Sequence, residues 1–247
     1  GVACDMIRLG KANAMVAGGT EAAITAGSMG GFSVMRALST NNDEYKTASR
    51  AFSGSRDGFV MGEGSGCLLL EDLEHAKKRG AKIYAEIIGF GASSDAYHLT
   101  ATHPTGDGAT LAMQNAIAEA NIKLSDVDYI NAHGTSTPLG DLSEIIAIQK
   151  VFGDHAYNLN ISSTKTMTGH LLGAAGAMEA VICVKAIENN VVPPTINHRE
   201  DDVDPKIDYK MNFTFNTPQN RKVDVVLSNS FGFGGQNACL VFKRYAE

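Results

Sequence analysis

The sequence has little charge, few cysteines and no long apolar run, and each shortage excludes a class of protein. Charged residues make up 19% of the 247 residues, which is below the ~25% typical of globular domains. The net charge of -6 argues against a nucleic-acid-binding surface, because such a surface needs a basic patch. The longest apolar stretch, residues 171–187, contains Glu179 and Lys185. It is too short and too polar to cross a membrane.

The four cysteines are Cys4, Cys67, Cys183 and Cys239, and no two of them have C-x-x-C spacing. The sequence therefore predicts neither a disulfide framework nor a zinc site. No two histidines have the spacing of a metal site either, so we expect no metal. Scattered free cysteines fit a reducing compartment, and we expect a cytoplasmic protein.

Short apolar segments alternate with helical ones along the chain. The predicted strands are 14–17, 67–70, 83–88, 129–132, 161–163, 223–227 and 239–242, and the predicted helices are 3–9, part of 21–35, 72–79, 109–120, 139–152 and 170–189. Most strands are apolar on both faces, which is typical of a sheet covered on both sides in an α/β layer fold. The polar residues 38–58 predict a long surface loop.

A His-Gly-Thr-Ser-Thr sequence starts at His133, directly after a predicted strand. A histidine at a strand end beside small hydroxyl groups suits a ligand that carries an acyl or phosphate group. Alternatively, the histidine lies in a plain turn whose hydroxyls cap the next helix, and on this motif alone capping is favoured.

Lys165 and His170 stand in a nearly uncharged stretch, and His170 is predicted to begin a long helix. The positive end of the helix dipole disfavours an imidazolium and leaves a neutral donor. Neutral donors are what an enolate or oxyanion requires. An exposed histidine and a surface lysine are about equally favoured alternatives. Asp141 and Glu179 are candidate partners for a buried Lys165.

A glycine-rich turn carrying Phe231 and Phe233 joins the last two predicted strands. Glycines around two aromatic side chains could form a mobile gate over an acyl pocket. A tight turn with both rings in the core is the stronger alternative from this motif alone.

Taken together and in this order, these motifs closely resemble the β-ketoacyl-acyl carrier protein synthases, the condensing enzymes of the thiolase fold. Their discrete type II fatty-acid forms are the most similar. The resemblance covers essentially the whole chain and is carried by residues 16–21, 56–64, 93–96, 131–137, 169–176 and 230–235. It implies a layered αβαβα thiolase-like fold, with residues 1–82 finishing an incomplete N-terminal half and residues 83–247 forming the C-terminal half.

The resemblance also implies a reaction and a role for each motif. The family loads an acyl group onto a cysteine and decarboxylates malonyl-carrier protein to an enolate, which attacks the acyl thioester. His133 and His170 would hold the thioester oxygen, and Lys165 would order the site. Asp141 and Glu179 would support Lys165. Thr135 and Thr137 would bind the phosphopantetheine arm. Phe233 would gate the acyl pocket, with Phe231 beside it.

Further implications concern partners. The substrates would arrive on the phosphopantetheine of acyl carrier protein, no other cofactor is expected, and a homodimer is expected. Because the carrier protein is acidic, Arg36, Lys46 and Arg50 are candidates for a basic docking patch. The alternative, that these three residues are ordinary solvated surface charges, is about as well supported.

One departure from the family pattern concerns the nucleophile. The family's cysteine stands at a helix N-terminus, which lowers the pKa of its thiol. Cys4 falls within a predicted helix, and the other three cysteines lie in apolar strands or a helix. We therefore expect an enolate-stabilising site without an acyl-accepting residue, and no condensation by this stretch alone.

Two rival functions share the same fold. A non-catalytic chain-length-determining subunit commonly lacks the histidine set, so the presence of His133, Lys165 and His170 disfavours it. A thiolase condenses without decarboxylation and usually carries a late Cys-Gly-rich motif, which the surroundings of Cys239 do not match.

Overall fold

A computed structural model describes residues 1–246 and gives nine strands and seven α-helices in that range. The strands are β1 (Ala14–Glu21), β2 (Gly64–Glu71), β3 (Glu86–Ser94), β4 (Tyr129–Asn131), β5 (Asn160–Ser162), β6 (Val191–Val192), β7 (Gln219–Asn220), β8 (Val225–Gly232) and β9 (Gln236–Lys243). The helices are α1 (Val2–Arg8), α2 (Ala26–Val34), α3 (Leu73–Lys78), α4 (Asp107–Ala120), α5 (Pro138–Phe152), α6 (Lys165–Thr168) and α7 (Ala175–Asn189).

The central element is a five-stranded mixed sheet with the strand order β3-β9-β8-β4-β5. Strand β4 runs parallel to β5 and β8, whereas β9 is antiparallel to both of its neighbours. All residues of β4 and β5 are buried, as expected for strands that are covered on both faces, although β5 lies at the edge of the sheet. The ends of these strands therefore deliver side chains to the interior of the protein.

Helices and sheets alternate in layers. Helices α4 and α5 cover one face of the five-stranded sheet, and α7 covers the other. The antiparallel pair β1–β2 packs on the far side of α7. The outer face of this pair is open, with Val16 72% and Leu69 59% exposed. The order helix, sheet, helix, sheet agrees with the layered α/β fold predicted from the sequence. The predicted division near residue 82 stays a prediction.

Several predicted elements have different bounds in the structure, and for two of them the structure gives the cause. The strand predicted at 83–88 begins at Glu86 and continues to Ser94, because it pairs with the full length of β9. The helix predicted at 170–189 begins only at Ala175. Leu172 has a φ of +48°, in the left-handed region, and a 3-10 turn precedes α7. His170 therefore does not begin the helix.

The predicted surface loop 38–58 is only partly at the surface. Residues 41–47 are mostly exposed, but residues 48–53 are all buried. Side chains and backbone of other segments hold this buried stretch: the Ser49 hydroxyl donates to the carbonyl of Lys165 (3.0 Å), and the Phe52 N–H donates to Asp141 (2.8 Å). A polar composition misled the prediction, because these polar groups are satisfied inside the protein rather than by water.

Close packing of β3 on α4 generates a stability prediction. A Cβ at Gly91 would overlap the carbonyl oxygen of Ala112 and approach the backbone nitrogen of Ala116 to 2.5 Å. Gly91→Ala should therefore lower the free energy of unfolding by about 1–3 kcal/mol through overpacking. Gly30 in α2 has no atom within 4 Å of its Cβ position, so Gly30→Ala should raise the free energy of unfolding by up to ~1 kcal/mol. Urea unfolding of both variants checks this, and an equal effect of the two would contradict it.

Candidate active site

His133 lies two residues after the end of β4. A buried acid, Glu144, fixes its backbone. The N–H groups of His133 and Gly134 donate to the two carboxylate oxygens of Glu144 at 2.9 and 2.8 Å. The Asn229 side-chain amide donates to the same carboxylate at 3.1 Å. Glu144 thus ties the end of β4 to α5 and to β8. The imidazole of His133 lines a cavity at this end of the sheet.

His170 is held by the segment that precedes β2. Its N–H donates to the carbonyl of Val60 at 2.7 Å, and its carbonyl accepts from the N–H of Gly62 at 2.9 Å. The Leu172 N–H donates to His170 Nδ1 at 3.2 Å. A neutral imidazole that accepts at Nδ1 carries its proton on Nε2. His170 therefore offers an Nε2–H donor.

Lys165 begins α6 and is 2% exposed. Its ammonium forms an ion pair and hydrogen bond with Glu179 on α7. Burial raises the pKa of Glu179, and the positive charge of Lys165 opposes that rise. Of the two expected supports of Lys165, Glu179 is in contact with it.

Burial keeps both histidines neutral. It lowers the pKa of His133 well below its usual value, with further lowering by Lys165 and His170. It lowers the pKa of His170 to about 3, again with Lys165 adding to the effect. The helix dipole is not the cause at His170, since α7 starts five residues later. The expected neutral imidazole is present, but the expected reason for it was wrong.

The two imidazoles lie side by side. Their ring centroids are 5.4 Å apart and their planes are nearly perpendicular, at 87°. Phe231 packs on His133 at a centroid distance of 5.5 Å, and Phe59 packs on His170 at 5.3 Å. Two neutral donors on one wall, with aromatic rings around them, form a suitable environment for a developing oxyanion.

The cavity that both histidines line has a volume of about 870 Å³, which is within the range of small-molecule sites. Thr135 and Thr137 also line it, and their hydroxyl oxygens are 3.0 Å apart. Thr137 is the N-cap of α5, but its side chain makes no capping hydrogen bond. The alternative that these hydroxyls serve as helix caps is therefore not supported for Thr137.

The glycine-rich turn is the hairpin between β8 and β9. Gly234 and Gly235 have φ values of +86° and +76°, which favour glycine. Phe231 points to His133, whereas Phe233 is 48% exposed and lies 6.2 Å from the ring of Phe32. Both phenylalanines line the cavity. Phe231 therefore lies beside His133, and Phe233 lies at a more exposed part of the cavity wall.

Asp141 lies in a different cluster from Lys165. Its carboxylate accepts hydrogen bonds from the N–H groups of Phe52 and Ser136 and is 3.5 Å from Nε of Arg56. Its partners are therefore Ser136 in the loop after His133 and two residues of the segment before β2, and Lys165 is not among them. Burial raises the pKa of Asp141 to about 6, and Arg56 opposes this rise.

Sequence reasoning did not identify Glu144 or the backbone of residues 60–62. A signal for Glu144 was present, because the buried face of α5 places two acids on its apolar stripe. That stripe consists of Asp141, Glu144, Ile145 and Ile148. Acids at positions i and i+3 of a buried helical face are rarely there for packing alone.

The cysteines lie away from the histidines. Within the described residues, none of the four lines the cavity. Burial raises the pKa of Cys4, Cys183 and Cys239, which disfavours the reactive thiolate. Cys67 is exposed on β2. None of them has the environment of an activated nucleophile.

The candidate docking cations differ in exposure. Arg36 and Lys46 are exposed. Arg50 is 3% exposed and donates to the carbonyl of Thr47 and to Ser55. Arg50 is therefore not available as a surface cation, and including it in the patch was wrong.

Residues 1–246 contain no cluster of three metal-ligating side chains and no helix long and apolar enough to cross a bilayer.

The family models of two domains of one protein family match the chain. The β-ketoacyl synthase N-terminal domain matches residues 1–76, and the β-ketoacyl synthase C-terminal domain matches residues 84–199. The chain belongs to the β-ketoacyl synthase family. This confirms the family resemblance of its motifs.

Curated relatives carry the same type of name. The chain is 56% identical over 244 residues to 3-oxoacyl-[acyl-carrier-protein] synthase 2 of Coxiella burnetii and 51% identical over 245 residues to that of Staphylococcus aureus. Each match covers 99% of this chain and 58% of the relative. The chain thus spans somewhat more than half the length of these relatives.

Solved structures confirm the thiolase-like layered fold. A β-ketoacyl synthase from Burkholderia phymatum is 40% identical with a TM-score of 0.92, covering 99% of this chain and 58% of that one. A type II polyketide ketosynthase in complex with its acyl-carrier protein is 39% identical with a TM-score of 0.96, covering 100% and 60%. The ishigamide ketosynthase/chain length factor is 36% identical with a TM-score of 0.90, covering 100% and 57%.

The lowered histidine pKa values predict a pH dependence of stability. Between pH 6.5 and pH 5, an unfolded chain binds protons at His133 and His170 that the folded chain does not bind. Each of these histidines should therefore make the free energy of unfolding fall as pH falls through this window, by up to ~1.4 kcal/mol per pH unit. Proton uptake by Asp141, whose pKa is raised to about 6, acts in the opposite direction. Urea unfolding at several pH values measures this slope. His170→Asn should make the slope shallower, and an unchanged slope would contradict the depressed pKa.

The charge of Lys165 predicts a change at His170. Lys165→Met together with Glu179→Gln removes the cation without leaving a buried, unpaired acid. Because Lys165 lowers the pKa of His170, this pair of substitutions should raise that pKa. Titration of the His170 ring by NMR measures the shift, and Lys150→Met, at an exposed lysine, is the matched control. A pKa of His170 that stays the same in the double variant would exclude Lys165 as a cause.

Proposed function

We propose that this chain provides the decarboxylating side of a β-ketoacyl-acyl carrier protein synthase, nearest to synthase II, in fatty-acid elongation. The observation that carries the proposal is the pair of neutral histidines, His133 and His170, at the wall of one cavity, with buried Lys165 lowering the pKa of both. The reaction is a decarboxylative Claisen condensation, and the enzyme class is acyltransferase.

The proposed chemistry starts with the malonyl thioester. The imidazole N–H donors of His133 and His170 hold its carbonyl oxygen. The bond between the malonyl carboxylate and the α-carbon breaks, CO₂ leaves, and the electron pair moves onto the held oxygen as an enolate. The enolate carbon then attacks an acyl thioester, and the thiolate of that thioester leaves. The acyl-bearing thiol is not supplied by a cysteine at this cavity, so we expect the chain alone to form no condensation product.

The same proposal assigns the substrate carrier. Malonyl groups would arrive on the phosphopantetheine arm of acyl carrier protein, and Thr135 and Thr137 would hydrogen-bond that arm. Phe233 would gate the acyl pocket with Phe231 beside it. We also propose that the protein is a cytoplasmic homodimer and that it uses no further cofactor. The solved ketosynthase bound to an acyl-carrier protein supports the choice of partner.

The rival function is that of a non-catalytic, chain-length-determining subunit. Solved relatives include ketosynthases together with chain length factors. A subunit without catalysis has no need of two neutral imidazoles beside a buried ammonium. The presence of His133, Lys165 and His170 at one site therefore favours the synthase.

Decarboxylation of malonyl-carrier protein tests the function in the full-length protein that carries this sequence. His133→Ala and His170→Ala should each lower the decarboxylation rate by about 100-fold or more, because each removes a donor to the enolate oxygen. His75→Ala is the control, since His75 is exposed on α3. Near-normal decarboxylation in both site variants would overturn the proposal. Loss of decarboxylation in His75→Ala as well would show that the measured rate follows folding of the protein and not the chemistry of the site.

A further inference from the structure

Three hydrogen bonds hold the residue between the two cavity threonines. Ser136 has a φ of +70° and is fully buried. Its N–H donates to Asp141 at 3.0 Å, its hydroxyl accepts from the N–H of Arg50 at 3.0 Å, and its carbonyl accepts from the N–H of Gly58 at 3.0 Å. A left-handed backbone at a residue other than glycine is costly and persists only where the surroundings impose it.

Asp141 links this loop to a second segment of the chain. Its side chain has no exposed surface. One carboxylate oxygen accepts from Ser136, and the other accepts from the N–H of Phe52 at 2.8 Å. The carboxylate of Asp141 therefore joins the loop after β4 to the buried segment 48–53, in addition to the hydrogen bond between Arg50 and Ser136.

Arg56 adds donors to the same loop. It is 4% exposed and donates to the carbonyls of Pro138 at 2.9 Å and Thr137 at 3.4 Å. It also contacts two carboxylates, Asp141 at 3.5 Å and Asp204 at 2.8 Å. A buried guanidinium is stable only when it is paired in this way. Its fixed fork of donors defines the path of the loop at the start of α5.

The hydroxyl of Thr137 lies against Gly140. A Cβ at Gly140 would overlap Oγ1 of Thr137, so the glycine leaves room for the hydroxyl in its observed position. The two threonine hydroxyls lie 3.0 Å apart at the cavity wall, whereas the Ser136 side chain between them is turned into the protein.

We propose that Asp141 and Arg56 are positioning residues that aim the hydroxyls of Thr135 and Thr137 at the amide-bearing arm of a carrier-linked thioester. This rests on the proposed function of the cavity. Neither residue touches the substrate. They act by fixing the backbone of residues 135–138, and Asp141 has this role in place of the support of Lys165 that the family resemblance implied.

Removing the charge of Asp141 should affect arm binding more than chemistry. In Asp141→Asn the side chain keeps its shape, but its amide group opposes one of the two N–H donors and no longer neutralises Arg56. We expect KM for malonyl-carrier protein to rise by about 10-fold and kcat to change by less than ~3-fold, because a displaced binding group weakens substrate binding without changing the reacting centre. Arg56→Lys, which loses the fork of donors, carries the same expectation and serves if Asp141→Asn fails to fold.

The experiment compares substrates with and without the arm in the full-length protein. Decarboxylation of malonyl-carrier protein should show the KM increase, whereas a malonyl thioester of a short thiol should be turned over equally by wild type and variant. In a Thr137→Val background, Asp141→Asn should add little further increase in KM. Glu74→Gln, at an exposed residue of α3, is the control. An equal KM increase for the short thioester, or full additivity with Thr137→Val, would overturn the positioning role.

Binding of pantetheine alone, measured by calorimetry, separates this inference from the proposed function. Weaker binding in Asp141→Asn supports the positioning role even if the wild-type protein decarboxylates nothing, in which case only the proposed function fails. Equal binding by wild type and Asp141→Asn would overturn the positioning role even if decarboxylation is observed.

Discussion

The site depends on one buried positive charge. Lys165 is almost fully enclosed, and a buried ammonium requires an acid of its own, which Glu179 supplies from α7. The same charge lowers the pKa of His133 and of His170 in addition to the effect of burial. It also opposes the rise in the pKa of Glu144, the acid that holds the backbone of His133. The protonation states of the whole site are thus coupled to a single ion pair.

The first third of the chain supplies support rather than reacting groups. Residues 60–62 pair with the backbone of His170, and Ser49 binds the carbonyl of Lys165. Arg56 donates to the carbonyl of Pro138. Phe52 donates to Asp141, which in turn holds Ser136 in the loop after His133. Each of these hydrogen bonds has a backbone group as donor or acceptor, in a buried or partly buried setting where an unsatisfied group would be costly. These hydrogen bonds from a distant part of the chain hold the two histidines and the loop of residues 134–137 in place. The local sequence around each motif does not provide them.

Much of the fold and six of the residues that line the cavity could be predicted, and the misses have physical causes. Continuous apolar strands and helical periodicity indicated the layers, and the motifs indicated both histidines and both threonines. The start of α7 could not be read, because the left-handed backbone of Leu172 has no sequence signature. Long-range contacts were also invisible: only the folded chain shows that Asp141 faces Arg56 and that residues 48–53 are buried.

For the proposed condensation, the neutrality of the histidines has a chemical consequence. An imidazolium beside an enolate would be a strong acid at close range, and it could protonate the enolate carbon before a carbon–carbon bond forms. A neutral imidazole donates a hydrogen bond to the enolate oxygen but is a far weaker acid. The pKa of about 3 at His170 therefore favours attack on an acyl group over protonation. In the proposed reaction, burial and Lys165 would together select for bond formation, while the ammonium of Lys165 itself is paired with Glu179 and does not line the cavity.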